Sequence, residues 1–79
     1  MFSEWLDTFI DEKALDTEQL LEVEGPSGLN LIPLGCLLDT IKAAPANEQA
    51  DIKNVLVKID FYNGDPMHFF KHIAQAIAC

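Results

Sequence analysis

The sequence predicts a small, mostly helical α+β domain with about four helices and one short β-hairpin. Apolar residues recur at helical spacing in four separate segments. Asn63-Gly64-Asp65-Pro66 is typical of a helix start, and Gly25-Pro26-Ser27-Gly28 is typical of a turn between two strands. With 79 residues, of which 49% are hydrophobic, we expect a single globular domain over residues 1–79.

The first helix is predicted close to the N-terminus, with Ser3 as its cap. Its apolar residues follow the i, i+3, i+4, i+7, i+8 spacing of one helical face, and acids cover the opposite face. The apolar residues are Phe2, Trp5, Leu6, Phe9 and Ile10, and the polar ones are Glu4, Asp7, Thr8, Asp11 and Glu12. Because Asp11 and Glu12 oppose the helix dipole near its end, packing is expected to hold this helix.

A short β-hairpin is predicted next. Leu21-Glu22-Val23-Glu24 and Leu29-Asn30-Leu31 both alternate between apolar and polar residues. The turn between them has proline second and glycine fourth, as type I turns prefer. Since two strands are marginal alone, one face must pack against the helices. We expect that face to consist of Leu21, Val23, Leu29 and Leu31.

Two helices are predicted after the hairpin. Pro33 can open the first, and Asn47 is expected to cap the second. Residues 55–61 are contested, because Val57 to Phe61 also alternates as a strand would. We favour a helix, since Glu48-Gln49-Ala50-Asp51 is strongly helical and the apolar stripe continues through the contested part. The two stripes are Leu34, Leu37, Leu38 and Ile41, then Ile52, Val55, Leu56 and Ile59.

The final helix is predicted from Pro66 onward. Gly64 can take the positive φ that ends the preceding element, Asp65 can cap, and Pro66 suits the first helical position. The apolar arc is Pro66, Phe69, Phe70, Ile73, Ala74, Ala76 and Ile77, against the polar stripe of His68, Lys71, His72 and Gln75. The predicted core therefore centres on Phe2, Leu6, Phe9, Leu37, Ile41, Leu56, Ile59, Phe70, Ile73 and Ile77.

The acidic residues are concentrated in the first third of the chain. The formal net charge is −8, and residues 1–24 hold eight acids against Lys13 alone. The other 55 residues hold five acids and four lysines. No arginine occurs in the sequence, so the usual bidentate partner of phosphate and guanine is missing. We therefore do not expect direct binding of nucleic acid.

The N-terminus lacks the basic region and apolar run of a signal peptide, and no window reaches the length of a membrane span. We therefore expect a cytoplasmic protein without membrane contact. Cys36 and Cys79 are too few for a disulfide scaffold, and we expect free thiols.

His68 and His72 lie at i and i+4 on one helical face, with Asp65 one turn earlier. Two imidazoles and a carboxylate at this spacing could ligate zinc or non-haem iron. The simpler interpretation is that Asp65 caps the helix, while the histidines share a solvated stripe with Lys71, which would repel a cation. We expect no metal and no cofactor, and a small metal-binding protein that uses His68 and His72 is one alternative.

No signature residues surround Cys36 as they would a nucleophile, and exposed carboxylates on a helix more often serve solubility than acid–base catalysis. We therefore expect a non-catalytic interaction module, whose acidic face of Glu4, Asp7, Asp11 and Glu12 engages a basic partner protein. By analogy of size and charge only, it suits an inhibitor of nucleic-acid-handling machinery, such as the anti-restriction or anti-CRISPR proteins of mobile elements. The other alternative is a structural homodimer or assembly subunit that covers surplus apolar surface.

Overall fold

The computed structural model describes residues 1–76 and consists of four helices and a two-stranded antiparallel hairpin, which confirms the mostly helical α+β class. The elements are α1 (Phe2–Glu12), β1 (Leu20–Gly25), β2 (Gly28–Pro33), α2 (Leu34–Lys42), α3 (Ala46–Phe61) and α4 (Pro66–Ala76). Residues 55–61 lie within α3, so the preference for a helix there is confirmed. None of these helices has both the length and the apolar character that crossing a membrane requires.

All six elements contribute side chains to one apolar core, and none of the buried side chains in residues 1–76 is polar or charged. The predicted stripe of α2 is buried throughout, and α4 buries Phe70 and Ala74. Three residues of the predicted core, Phe2, Ile59 and Ile73, are only half-buried, and Ile77 lies outside the described residues. The buried set is Leu6, Phe9, Ile10, Leu21, Val23, Ile32, Leu34, Leu37, Leu38, Ile41, Leu56, Phe70 and Ala74.

The hairpin packs with a different face of β2 from the one predicted. Leu21 pairs with Ile32, and Glu22 pairs with Leu31. Leu29 and Leu31 are 62% and 55% exposed, so their predicted burial is wrong. The two-residue turn sets Gly25 opposite Gly28, and successive side chains alternate between faces, so this register puts Ile32 on the core side instead.

Two helices end in Schellman motifs. At the end of α3, Asn63 has a φ of 56°, and the N–H of Gly64 donates to the carbonyl oxygen of Ile59 at 2.7 Å. Ala14, with a φ of 52°, has the same role after α1. The prediction that Gly64 takes the positive φ is therefore wrong. Gly64 instead occupies the crowded next position, where a Cβ would lie 3.1 Å from Ile59 Cγ2.

The helix starts agree with the sequence at α4 and differ at α1 and α3. Asp65 Oδ1 accepts a hydrogen bond from the N–H of Met67 at 3.0 Å, which confirms this cap. The caps predicted at Ser3 and Asn47 are wrong. Both helices start earlier, at Phe2 and Ala46, and α3 follows directly on Pro45, whose ψ of 152° is extended rather than helical.

Cys36 lies on the exposed side of α2, away from the buried stripe of that helix. Its sulfur is in a disulfide bond, so the free thiol predicted at this position is wrong. The same prediction for Cys79 falls outside the described residues.

Candidate functional site

Three of the four predicted acids of α1 share one side of the helix. At about 100° of rotation per residue, Glu4, Asp7 and Asp11 fall within an arc of about 60°. All three are exposed, since the opposite side of α1 is buried in the core. Glu12 is also exposed, but it is rotated by about 100° from Asp11. The structure therefore groups Glu4, Asp7 and Asp11 and leaves Glu12 apart from them.

A cleft of about 400 Å³ separates α1 from α2 and carries most of this charge. Asp7 and Asp11 line it from α1, and Asp39 and Lys42 line it from α2. Its other lining residues are Ile10, Thr17, Gly35 and Leu38. We call this feature the acidic cleft, because its lining contains three carboxylates and a single ammonium group.

Local structure fixes both walls of the acidic cleft. The first amides of α2, those of Leu34 and Gly35, donate to the carbonyl oxygens of Gln19 and Thr17 at 2.9 and 2.8 Å. A Cβ on residue 35 would lie 3.3 Å from the carbonyl oxygen of Thr17, so glycine allows this close approach. Below the cleft, Ile10 and Leu38 are buried in the core. The carboxylates therefore project from two helices that are held in place by backbone hydrogen bonds and by packing.

The charges of the acidic cleft are only partly balanced. Lys42 Nζ lies 2.6 Å from Asp7 Oδ1 and donates a hydrogen bond to it. Within residues 1–76, Asp11 and Asp39 form no ion pair, and the other ion pair in that range joins Lys13 to Asp60. Three carboxylates and one ammonium leave a formal charge of −2, so the cleft attracts a further cation.

Asp39 is the acid of the acidic cleft that was not predicted from the sequence. It is the only acid in α2, and the helical period places it outside the buried stripe. That pattern predicts an exposed position but not its neighbours. Its proximity to Asp7 and Asp11 depends on how α2 packs beside α1, for which the sequence holds no local signal.

The arrangement suits an organic cation better than a metal ion. Within residues 1–76, no three His, Cys, Asp or Glu side chains converge closely enough to hold a metal. Exposed carboxylates accept hydrogen bonds from lysine, or from arginine in the bidentate geometry of its guanidinium group. The exposed carboxylates of the acidic cleft can therefore accept hydrogen bonds from a basic side chain.

The histidine side of α4 forms a separate surface. Asp65, His68 and His72 line one open pocket of about 600 Å³ together with Ile59 and Phe69. Glu22 of β1 borders a second, smaller pocket of about 250 Å³ with the same two histidines. Because Asp65 Oδ1 already accepts the N–H of Met67, its role in the fold is that of a helix cap. The described residues thus bring both histidines to one side without the convergence of three ligands that a metal site needs.

The structure is thus a small α+β domain with a negatively charged cleft between α1 and α2. No protein-family model, curated protein or solved structure matches this chain.

Proposed function

We propose that this protein is a non-catalytic interaction module whose acidic surface binds a basic partner protein. The observation that carries the proposal is the acidic cleft, in which Asp11 and Asp39 lack an ion pair within the described chain. The ion pair of Lys42 supports the proposal, because the ammonium group of this lysine already binds one carboxylate of the cleft. A lysine or arginine of the partner would occupy the remaining carboxylates in the same way.

The geometry supports recognition by several contacts of modest strength. An exposed ion pair contributes about 0.2 to 1 kcal/mol, so a single lysine would not hold a partner. Glu4 and Glu12 lie outside the cleft and extend the charge along and around α1. Acids distributed in this way accelerate and orient the encounter with a basic surface, while close pairs within the cleft fix its register.

The kind of partner is inferred from the size and charge of the domain. Basic surfaces that bind nucleic acid present lysine and arginine to phosphates, and carboxylates on a small rigid domain can take the place of those phosphates. We therefore assign the protein to the class of inhibitors of nucleic-acid-handling machinery, of the anti-restriction or anti-CRISPR type found on mobile elements. This assignment is an analogy of size and charge.

A cytoplasmic location belongs to this proposal, because such machinery works there. The disulfide at Cys36 weighs against it, since stable disulfides are rare in reducing compartments. Thiol labelling of the protein in rapidly quenched host cells tests the location. Labelled Cys36 supports the cytoplasm, and Cys36 that is labelled only after reduction contradicts it.

The proposal is tested by reversing the charge of the cleft. The double variant Asp11→Lys/Asp39→Lys should lose the capture of basic partners from the native host, because both carboxylates without an ion pair become cations. Glu22→Lys/Glu24→Lys is the matched control, since it makes the same change of charge on the exposed side of β1. If both variants capture partners as the unaltered protein does, the acids serve solubility and the proposal is wrong.

A further inference from the structure

The outer side of α3 has no partner within the described chain. This helix of 16 residues fully buries only Leu56, and Ile52 and Ile59 are half-buried against α1 and α4. Val55 was predicted to be buried but is 38% exposed, because it lies at the border between the buried and the exposed sides of α3. Val57 and Phe61, on the opposite side from the core, are 48% and 77% exposed.

The exposed residues on that side have the spacing of a helix-packing seam. Ala50, Asn54, Val57 and Phe61 are separated by four, three and four positions, as in the a and d positions of a heptad. At about 100° per residue they fall within an arc of about 60°. All four are exposed, and we call them the outer stripe. The Phe61 ring also meets the Tyr62 ring edge to face at 5.1 Å, which enlarges the apolar end of the stripe.

Two opposite charges on one edge of the outer stripe are too far apart to form an ion pair with each other. Asp51 and Lys58 are seven residues apart, which is about 10 Å along the helix axis. Neither forms an ion pair within residues 1–76. On the other edge the charges are already occupied within the subunit. There Lys53 lies over the Trp5 ring at 5.4 Å, and Asp60 pairs with Lys13.

We propose that the outer stripe is the interface of a homodimer, in which α3 packs antiparallel against α3 of a second copy. The two-fold axis passes between the two helices, at the level midway between Asn54 and Val57. Asp51 then lies beside Lys58 of the partner subunit, with an offset of about 3 Å along the axis, and the symmetry repeats this pair. Ala50 faces Phe61 of the partner subunit, so a small side chain meets a large one at both ends.

The charges select both the occupant and its direction. One edge of the outer stripe holds one acid, Asp51, and one base, Lys58. A second copy in antiparallel orientation provides an ion-pair partner for each of them. A parallel pair would instead bring Lys53 beside Lys58 of the partner subunit, where like charges repel. The acidic cleft contributes no residue to the outer stripe, so this inference stands independently of the proposed function.

Sedimentation equilibrium across a concentration series tests the interface. We expect the unaltered protein to approach twice its chain mass of 8.8 kDa as concentration rises. Phe61→Ser should remove dimerisation. Asp51→Lys and Lys58→Asp should each weaken it about tenfold, because two exposed attractive pairs become repulsive. Glu48→Lys, the same change of charge on α3 outside the outer stripe, should leave it unchanged.

Mixing the two single variants is the decisive step. An Asp51→Lys chain and a Lys58→Asp chain carry opposite charges on the critical edge, so the mixture should dimerise about as tightly as the unaltered protein, although each variant alone associates about tenfold more weakly. The double variant Asp51→Lys/Lys58→Asp should recover dimerisation for the same reason. Circular dichroism of each variant verifies that the fold is retained. A mass of 8.8 kDa at every concentration, a dimer that survives Phe61→Ser, or single variants that do not associate when mixed would each overturn the inference.

Discussion

Lys42 on α2 donates a hydrogen bond from Nζ to Asp7 Oδ1 on α1 across 2.6 Å, although 35 positions separate the two residues in the chain. Both side chains are partly exposed, so the pair contributes at most about 1 kcal/mol to stability. Its larger effect is on charge, because it neutralises one of the three carboxylates in the acidic cleft. Asp11 and Asp39 keep their negative charge without an ion pair within the described residues.

Lys42→Gln should therefore strengthen the binding of a basic partner. The substitution removes the competing ammonium and changes the formal charge of the cleft from −2 to −3, while glutamine keeps a polar side chain that carries no charge. The free energy of unfolding should change by no more than about 1 kcal/mol. Calorimetric titration with an arginine-containing peptide measures the first effect and denaturant unfolding the second. Weaker binding by this variant would mean that Lys42 itself contacts the partner.

Asp65→Ala should destabilise the protein by about 0.5 to 2 kcal/mol, because the N–H of Met67 at the start of α4 loses its acceptor. In a domain of this size that corresponds to a fall in Tm of a few degrees up to about 15 °C. Asp65→Asn is the matched control, since it keeps a side-chain oxygen and should lose much less. If both variants unfold at the same temperature as the unaltered protein, the cap does not contribute to stability.

The register of the hairpin predicts opposite outcomes for neighbouring residues of β2. Ile32→Ala should cost about 2 to 5 kcal/mol, because it leaves a cavity beside Leu21 in the core. Leu31→Ala should change stability by no more than about 0.5 kcal/mol, since that side chain is exposed. Chemical unfolding of both variants measures the difference. A larger loss for Leu31→Ala would indicate a register that is shifted by one residue.

Ala14→Gly should raise the stability of the protein. Ala14 has a φ of 52°, a left-handed conformation that costs a residue with a Cβ about 1 to 2 kcal/mol. Glycine avoids that cost at the end of α1 but loses more backbone entropy on folding, so we expect a net gain of about 0.5 to 1 kcal/mol. Asn63→Gly should gain less, because asparagine tolerates this conformation. Thermal unfolding measures both variants, and a lower Tm for Ala14→Gly contradicts this account.

Local signals in the sequence were sufficient for the helices with strong stripes and punctuation. Pro33 immediately precedes α2, and Asp65 and Pro66 mark the start of α4, because capping and the fixed φ of proline act within a few residues. The face of β2 was not predictable in the same way. Residues 29–32 are apolar at three of four positions, so alternation alone permits two registers.

Only part of the acidic cleft could be predicted from the sequence. Helical period places Asp7 and Asp11 on one side of α1, and this was predicted. Asp39 and Lys42 join them only through the packing of α2 beside α1, which no local pattern specifies. The exposure of α3 could not be predicted for the same reason, because it also depends on how the helices pack. Four apolar residues in the sequence of α3 predicted burial, but only Leu56 is fully buried.

In the function that we propose, the acidic cleft, rather than the total negative charge, recognises a basic partner. The most direct measurement is a nuclear magnetic resonance titration with a short arginine-containing peptide, which follows the backbone amide shifts of every residue. We predict saturable shifts concentrated at Asp7, Asp11 and Asp39, reduced by added salt and lost in Asp11→Asn/Asp39→Asn. Weak shifts that do not saturate and spread equally to Glu22 and Glu24, or that persist in that double variant, would contradict the account.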